Sequence, residues 1–290
     1  MSTACSMRST TACLAEALSA GLRSELDLTP KPGLVDRRDS GSHDDLDYHL
    51  MCRSITLLER YFADCVGALH AGHDIERLRE LGLLAEQRMF ARLGTNTHRG
   101  AIFLGGLLLG AVHVAAGTEP RVVSDAVAEC AQRLFAQRLP HGTTGEAVRA
   151  RYRVGGIVSE ALNGLPAVFA VGVPALQGAR RRGLSDRDSL YVAMARLMQT
   201  VEDTTALRRC GPAGLARLRR DGARLERLLD EGDDPIPFLV ECNRHYRARR
   251  LTMGGIADLL GICVAWTRCI AEPRHFPTQQ TACQSGRGAV

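Results

Sequence analysis

Three short stretches of this chain carry residue types that could do chemistry together. The first is TPKPGLVDRRDSGSHDDLDYH, residues 29–49, with Lys31, Asp36, Arg37, Arg38, Asp39, His43, Asp44, Asp45, Asp47 and His49. Mixed charge at this density suits a metal ion and a polyphosphate held together: carboxylates take the cation and basic groups take the remaining oxygens. A solvated loop has the same composition. Lys31 is the one lysine among 37 basic residues. Lysine is a compact point charge where arginine is a planar fork, and Pro30 and Pro32 restrict the backbone on both sides of it. That arrangement suggests a cation aimed at a ligand; the alternative is an accident of composition.

The second stretch is GTNTHRG, residues 94–100. It places Asn96 or Thr97 at a helix N-cap, with His98 and Arg99 in the first turn. Exposed backbone N–H groups plus two basic side chains make an anion site. An ordinary N-cap is the plainer reading, but basic residues at an N-terminus oppose the helix dipole, and a bound anion would remove that conflict. The third is Glu202-Asp203-Thr204-Thr205, followed by Arg208, Arg209 and Gly211. Glu86 and Glu160 stand in otherwise apolar helical stretches, GLLAEQRMF and GGIVSEALNGLP. Each is either a salt-bridged edge residue or an inward-facing ligand or base.

The elements that must position these residues read as helices. Apolar residues make up 45% and aromatics 4%, alanine and leucine dominate, and valine never alternates as it would in a strand. Helical patterns fall at 11–27, 47–69, 74–92, 98–116, 121–138, 146–153, 159–182, 185–201, 212–231, 235–248 and 254–271, with a polar loop at 28–46 and a second break at 139–145. Helix 98–116 contains Gly100, Gly105, Gly106 and Gly110. Each glycine costs a helix roughly 1 kcal/mol relative to alanine, so close approach is expected: of another helix at Gly106 and Gly110, of a ligand at Gly100. No repeat and no Pro/Ser-rich linker divides the chain. We expect one all-α domain over residues 11–272, a disordered N-terminus at 1–10 and a loose tail at 273–290, with the site built from interhelical loops.

Net charge is +5, which suits an anionic small ligand as well as it suits nucleic acid. Basic and aromatic residues are not interleaved, and Trp266 lies in an apolar run, which argues against nucleic acid. The apolar segment 101–116 is short for a bilayer and contains His113, so no membrane association is expected. Ten cysteines in no metal-binding spacing read as reduced thiols of a cytoplasmic protein, and the first ten residues lack the apolar stretch of a signal peptide. The His43-Asp44 pair lacks the upstream histidine of a metal phosphohydrolase, and there is no P-loop, HExxH or GxSxG.

The same pieces in the same order resemble the triphosphoribosyl-dephospho-coenzyme A synthases, which serve the prosthetic group of malonate decarboxylase and of citrate lyase. The resemblance covers about residues 12–270. It rests on TPKPGLVDRR, GSHDDLD, LLAE, GTNTHRGAIF, GGIVSEALNGLP, VEDTTALRRCG and LTMGGIADLL, of which TPKPGLVD and NTHRGAIF are highly specific. The NTHRGAIF form and PALQGARRRG look closer to the malonate decarboxylase branch. The chain departs from the family pattern at Val158, where arginine is usual, and at Ser159, Cys210, Met253 and Ile256.

The resemblance implies transfer of the triphosphoribosyl group of ATP to the 2′-hydroxyl of 3′-dephospho-coenzyme A, with release of adenine. ATP, dephospho-coenzyme A and Mg²⁺ are the expected ligands. The expected functional partners are a downstream phosphoribosyl-dephospho-coenzyme A transferase and the acyl carrier protein of malonate decarboxylase. Breaking a ribosyl–adenine bond passes through an oxocarbenium-like state that fixed negative charge stabilises. On the resemblance, Lys31, His98, Arg99 and Arg209 go to phosphates, with Gly33, Asn96, Thr97, Gly100, Gly254 and Gly255 completing the nucleotide site. Asp45, Asp47 and Asp203 go to Mg²⁺. Asp36, Glu86 and Glu160 are candidates for base or cation stabiliser. Two other readings of the same residues are a degenerate nucleotide-binding homologue and an all-α ADP-ribose glycohydrolase-like enzyme with water as acceptor.

Overall fold

The computed structural model describes residues 2–136 and 144–271, with side chains from 10 to 136 and from 145 to 270. Among them there are helices and no strands. We number the α-helices α1 (Ser2–Asp27), α2 (Tyr48–His70), α3 (Ile75–Leu93), α4 (Arg99–Ala115), α5 (Pro120–Ala136), α6 (Thr144–Tyr152), α7 (Gly156–Leu162), α8 (Val173–Arg181), α9 (Asp186–Thr200), α10 (Thr204–Glu231), α11 (Ile236–Arg249) and α12 (Gly254–Ala271). One π-helical segment, Ala167–Gly172, runs directly into α8. Most of the expected break at 139–145 and the tail from 273 lie outside the described residues.

The core centres on α1 and α12. Leu14, Leu18, Leu22 and Leu26 recur every four residues and are all buried, forming one apolar stripe along α1. The crossing is close because glycines face each other. A methyl on Gly21 would lie 2.2 Å from the Gly261 carbonyl oxygen, and one on Gly261 would lie 2.8 Å from Leu22. Helix α4 is buried along most of its length. Its Gly105 and Gly106 admit the rings of Phe62 and Tyr61, and Gly110 admits Ile75, as expected of tight packing.

Three expected helices differ. The pattern over 159–182 is broken at Asn163-Gly164-Leu165-Pro166, where Gly164 and Leu165 take positive φ of 75° and 59°. Pro166 disfavours helix at the residue before it, and the Ser124 hydroxyl donates to the Gly164 carbonyl at 2.8 Å, which pins the turn against α5. The pattern expected from 212 instead begins at Thr204 and bends at Gly211, φ 62° and ψ −163°. Such backbone is glycine's, and Pro212 restarts the helix where no N–H partner is needed. The first helix, expected from residue 11, begins at Ser2. No single helix among the described residues is long and apolar enough to cross a membrane.

Candidate active site

A cavity of about 1410 Å³ opens between the N-terminal ends of several helices. The first turn of α4 gives Arg99 and Gly100, α10 gives Thr204, Thr205, Arg208 and Arg209, and α12 gives Gly254, Gly255 and Asp258. The three helices point their N-terminal ends at the cavity, with several of the first-turn N–H groups already taken by Asp203 and Asp258. Arginines line the cavity from four helices: Arg79 on α3, Arg99 on α4, Arg149 on α6, and Arg208, Arg209 and Arg219 on α10. Helix α6 is held over the cavity by Val148, which packs with Leu207 and Leu215 of α10.

Asp203 fixes the relation of two of these termini. It is 1% exposed. Its Oδ1 accepts from the N–H groups of Thr205 (2.8 Å) and Ala206 (2.9 Å), and its Oδ2 from that of Ile256 at 3.0 Å. One carboxylate therefore caps α10 and α12 together. Burial raises its pKa, and backbone N–H groups of Ala206, Ile256, Thr205 and Gly255 oppose the rise.

Glu86 reaches the cavity from α3. Its Oε2 accepts from the Asn96 amide at 3.0 Å and lies 3.2 Å from Arg99 Nε. Burial raises its pKa against the pull of Arg99 and Asn96. Asn96 keeps its other side-chain atom, Oδ1, buried and without a partner. Glu160 also lines the cavity. It accepts the Ala167 N–H at 3.0 Å, which caps the π-helical segment, and burial raises its pKa. Neighbouring Glu202 accepts the Gly155 N–H at 2.9 Å.

The 28–47 loop is mostly an internal strut. Lys31 is 1% exposed, and its ammonium is bonded to Glu25 of α1; it does not line the cavity. Burial raises the Glu25 pKa and Lys31 opposes this. Asp36 is likewise buried, its oxygens taking the N–H groups of Lys31 (2.8 Å), Arg38 (2.7 Å) and Asp39 (3.2 Å). That geometry organises a turn and leaves Asp36 no approach to the cavity. Gly33 takes φ 71° and donates its N–H to Asn243, while a methyl there would lie 2.3 Å from the Leu251 carbonyl oxygen. Only the end of the loop, His43, Asp45 and Leu46, reaches the cavity. His43 sits against Thr252 and Arg209, and burial followed by the Arg209 charge lowers its pKa to about 4. Arg209 ties this end down by donating to the Ser42 carbonyl at 2.6 Å.

His98 also differs from expectation. It is buried behind the wall, with Nδ1 bonded to the Ser54 hydroxyl at 2.6 Å and the Thr97 hydroxyl at 2.9 Å. Burial, then Lys31, lowers its pKa to about 4, so it is neutral near pH 7 and offers no cation to a phosphate. Gly100 meets a carboxylate: a methyl there would lie 2.1 Å from Asp258 Oδ2.

The metal set does not assemble. Asp47 is exposed and caps α2 through the Leu50 N–H at 2.8 Å, Asp203 has both oxygens engaged, and Asp45 stands alone of the three with a free edge on the cavity. Among the described residues no three histidine, cysteine or acidic side chains are placed to share an ion. The residues present do not fit a resident Mg²⁺. The eight cysteines whose side chains are described are free thiols.

Of the expected site residues, Glu86, Glu160, Asn96, Thr97, Arg99, Gly100, Arg209, Gly254, Gly255, Asp45 and Asp203 meet at the cavity, whereas Lys31, Gly33, Asp36, Asp47 and His98 do not. The sequence pattern gave no place to Arg149, and it singled out Arg208 and Asp258 without a role for either. Arg149 carries no signal in an arginine-rich chain. Asp258 had one, as the acidic residue of GGIAD just inside a helix start.

Converging helix N-termini, arginines from four helices and two flanking glutamates define an all-α protein shaped to receive a polyanion beside carboxylates. Residues 11–273 match the family model of CitG, ATP:dephospho-CoA triphosphoribosyl transferase, and the chain belongs to that family. A probable 2-(5''-triphosphoribosyl)-3'-dephosphocoenzyme-A synthase of Pseudomonas putida is 35% identical over 253 residues, 83% of this chain and 88% of the relative. One from Pseudomonas aeruginosa (strain UCBPP-PA14) is 37% identical over 266 residues, 87% of this chain and 89% of its own. The 2-(5''-triphosphoribosyl)-3'-dephosphocoenzyme-A synthase of Pectobacterium atrosepticum is 35% identical over 274 residues, 89% of this chain and 87% of its own. No solved structure matches the chain.

Proposed function

We propose that this enzyme transfers the triphosphoribosyl group of ATP to the 2′-hydroxyl of 3′-dephospho-coenzyme A and releases adenine. The observation that carries the reading is the cavity itself. At about 1410 Å³ it exceeds the few hundred to about 1,000 Å³ of a single-ligand pocket, as two nucleotide substrates require. Arg99, Arg149, Arg208 and Arg209 take the triphosphate. Asn96, Thr97, Gly100, Gly254 and Gly255 shape the wall against the nucleotide. Glu86 and Glu160 are the candidates for stabilising positive charge at C1′ and for taking the acceptor proton. Mg²⁺ belongs to the nucleotide as its counter-ion, and no step is assigned to a protein-held metal.

The product serves the malonate decarboxylase prosthetic group in this reading, on the strength of the NTHRGAIF and PALQGARRRG stretches. A phosphoribosyl-dephospho-coenzyme A transferase and the decarboxylase acyl carrier protein then act downstream, in the cytoplasm, without membrane or nucleic acid. Mass spectrometry of the products from MgATP and dephospho-coenzyme A tests the reaction. The expected result is free adenine together with dephospho-coenzyme A carrying a triphosphoribosyl group. Intact substrates after prolonged incubation would contradict it.

A further inference from the structure

At the cavity wall and behind it lies a group of charges from parts of the chain distant in sequence: buried Glu25 of α1 with Lys31 on it, buried Asp203 before α10, and half-buried Asp258 near the start of α12. Three of these groups have evident structural work. Glu25 and Lys31 neutralise each other, and Asp203 has both oxygens on backbone N–H groups. Asp258 is different. It accepts the Ala101 N–H, lines the cavity, and directs Oδ2 across the surface of Gly100. A carboxyl has about four lone-pair positions, so Asp258 retains capacity on the cavity side. Any side chain at position 100 would collide with it, since a methyl would lie 2.1 Å from Oδ2. The THRG and GGIAD motifs thus meet at one carboxyl group.

We propose that Asp258 donates the proton to the departing adenine, an inference that rests on the transferase reading above. The C1′–N9 bond breaks and its electron pair leaves with the purine. The acceptor 2′-oxygen bonds to C1′ and gives its proton to a cavity carboxylate or to water. The Asp258 proton moves to a purine ring nitrogen, so the base departs as neutral adenine, and solvent reprotonates the carboxylate. Burial, with the charges of Glu25 and then Asp203, holds the Asp258 pKa well above the usual carboxylate range. That is the condition for a carboxyl to carry a proton to this step.

The test is Asp258→Asn, which keeps the shape and cannot give up a proton. Adenine release from MgATP with dephospho-coenzyme A should fall by about 10²–10⁴-fold, with ATP affinity unchanged. With 2-fluoro-ATP, whose base leaves without much protonation, the loss should be at least tenfold smaller. Gly100→Ala should show the same dependence on the leaving base, because it displaces the same carboxyl. Thermal melting establishes that both variants are folded. An Asp258→Asn enzyme within threefold of the parent, or one that loses equally on both nucleotides, overturns the inference while the transferase reading stands. A parent enzyme that releases no adenine contradicts that reading, and the inference falls with it.

Discussion

Removing the Lys31 ammonium would leave Glu25 in a site only 3% exposed without its partner. Breaking one side of a buried ion pair typically costs about 3–5 kcal/mol. Lys31→Met should lower the urea midpoint accordingly, and adding Glu25→Leu should recover most of the loss; an unchanged midpoint in the single variant would show that the pair contributes little. Lys31 was legible as an unusual lysine, but its direction was not. The partner is six residues upstream on α1, and no spacing rule distinguishes an inward ammonium from one aimed at a ligand. His98 gives a second residue-scale prediction. Its folded pKa of about 4 lies below the ordinary 6.5, so the unfolded chain binds the proton first. The stability from neutral His98 is complete above about pH 6.5 and is lost as pH falls toward about 4. His98→Asn should therefore flatten the decline in melting temperature over that range relative to the parent. Parallel declines would contradict a buried neutral imidazole.

At the scale of elements, the site depends on how α6, α10 and α12 are brought together. Asp203 joins two of them, whereas the sequence pattern placed it just past the end of a helix and assigned it to Mg²⁺. Its second set of donors, at Gly255 and Ile256, comes from a helix some fifty residues on. Cavity-facing Val158 stands where the resemblance leads one to expect arginine, while Arg149 of α6 lies beside Gly156 on the same wall. We expect Arg149 to serve the triphosphate in place of the missing cation. Losing a charged hydrogen bond of about 1.5–3 kcal/mol should raise the ATP KM of Arg149→Met by roughly 10- to 150-fold. Adding Val158→Arg should restore much of it. An unchanged KM in the single variant would remove Arg149 from the site. The helix break at Asn163-Gly164-Leu165-Pro166 carried a Gly and a Pro as signals, but the apolar run on either side hid it. The bend at Gly211 left residues 204–210 helical for the converse reason: Asp203 caps a turn that local pattern alone did not require.

For the whole molecule, the all-α class and most helices followed from composition and periodicity, because apolar stripes such as Leu14, Leu18, Leu22 and Leu26 must be buried. The polar 28–47 loop resisted that logic. It looked solvated or ligand-bound, yet residues 30–36 are buried, Gly33 is tied to Asn243, and Ser42 is tied to Leu251 and Arg209 by contacts across the chain. Charge in a sequence does not say whether its partner is water, ligand or protein. The cavity likewise exists only once α4, α6, α10 and α12 are assembled. Its proposed role is to join two nucleotide substrates, so adenine release should depend on the acceptor. The most direct measurement is the stoichiometry of adenine released to dephospho-coenzyme A consumed in the presence of MgATP. The transferase account predicts one adenine for each acceptor and negligible release without it. Sustained adenine release when dephospho-coenzyme A is omitted would contradict the account and favour a hydrolase with water as acceptor.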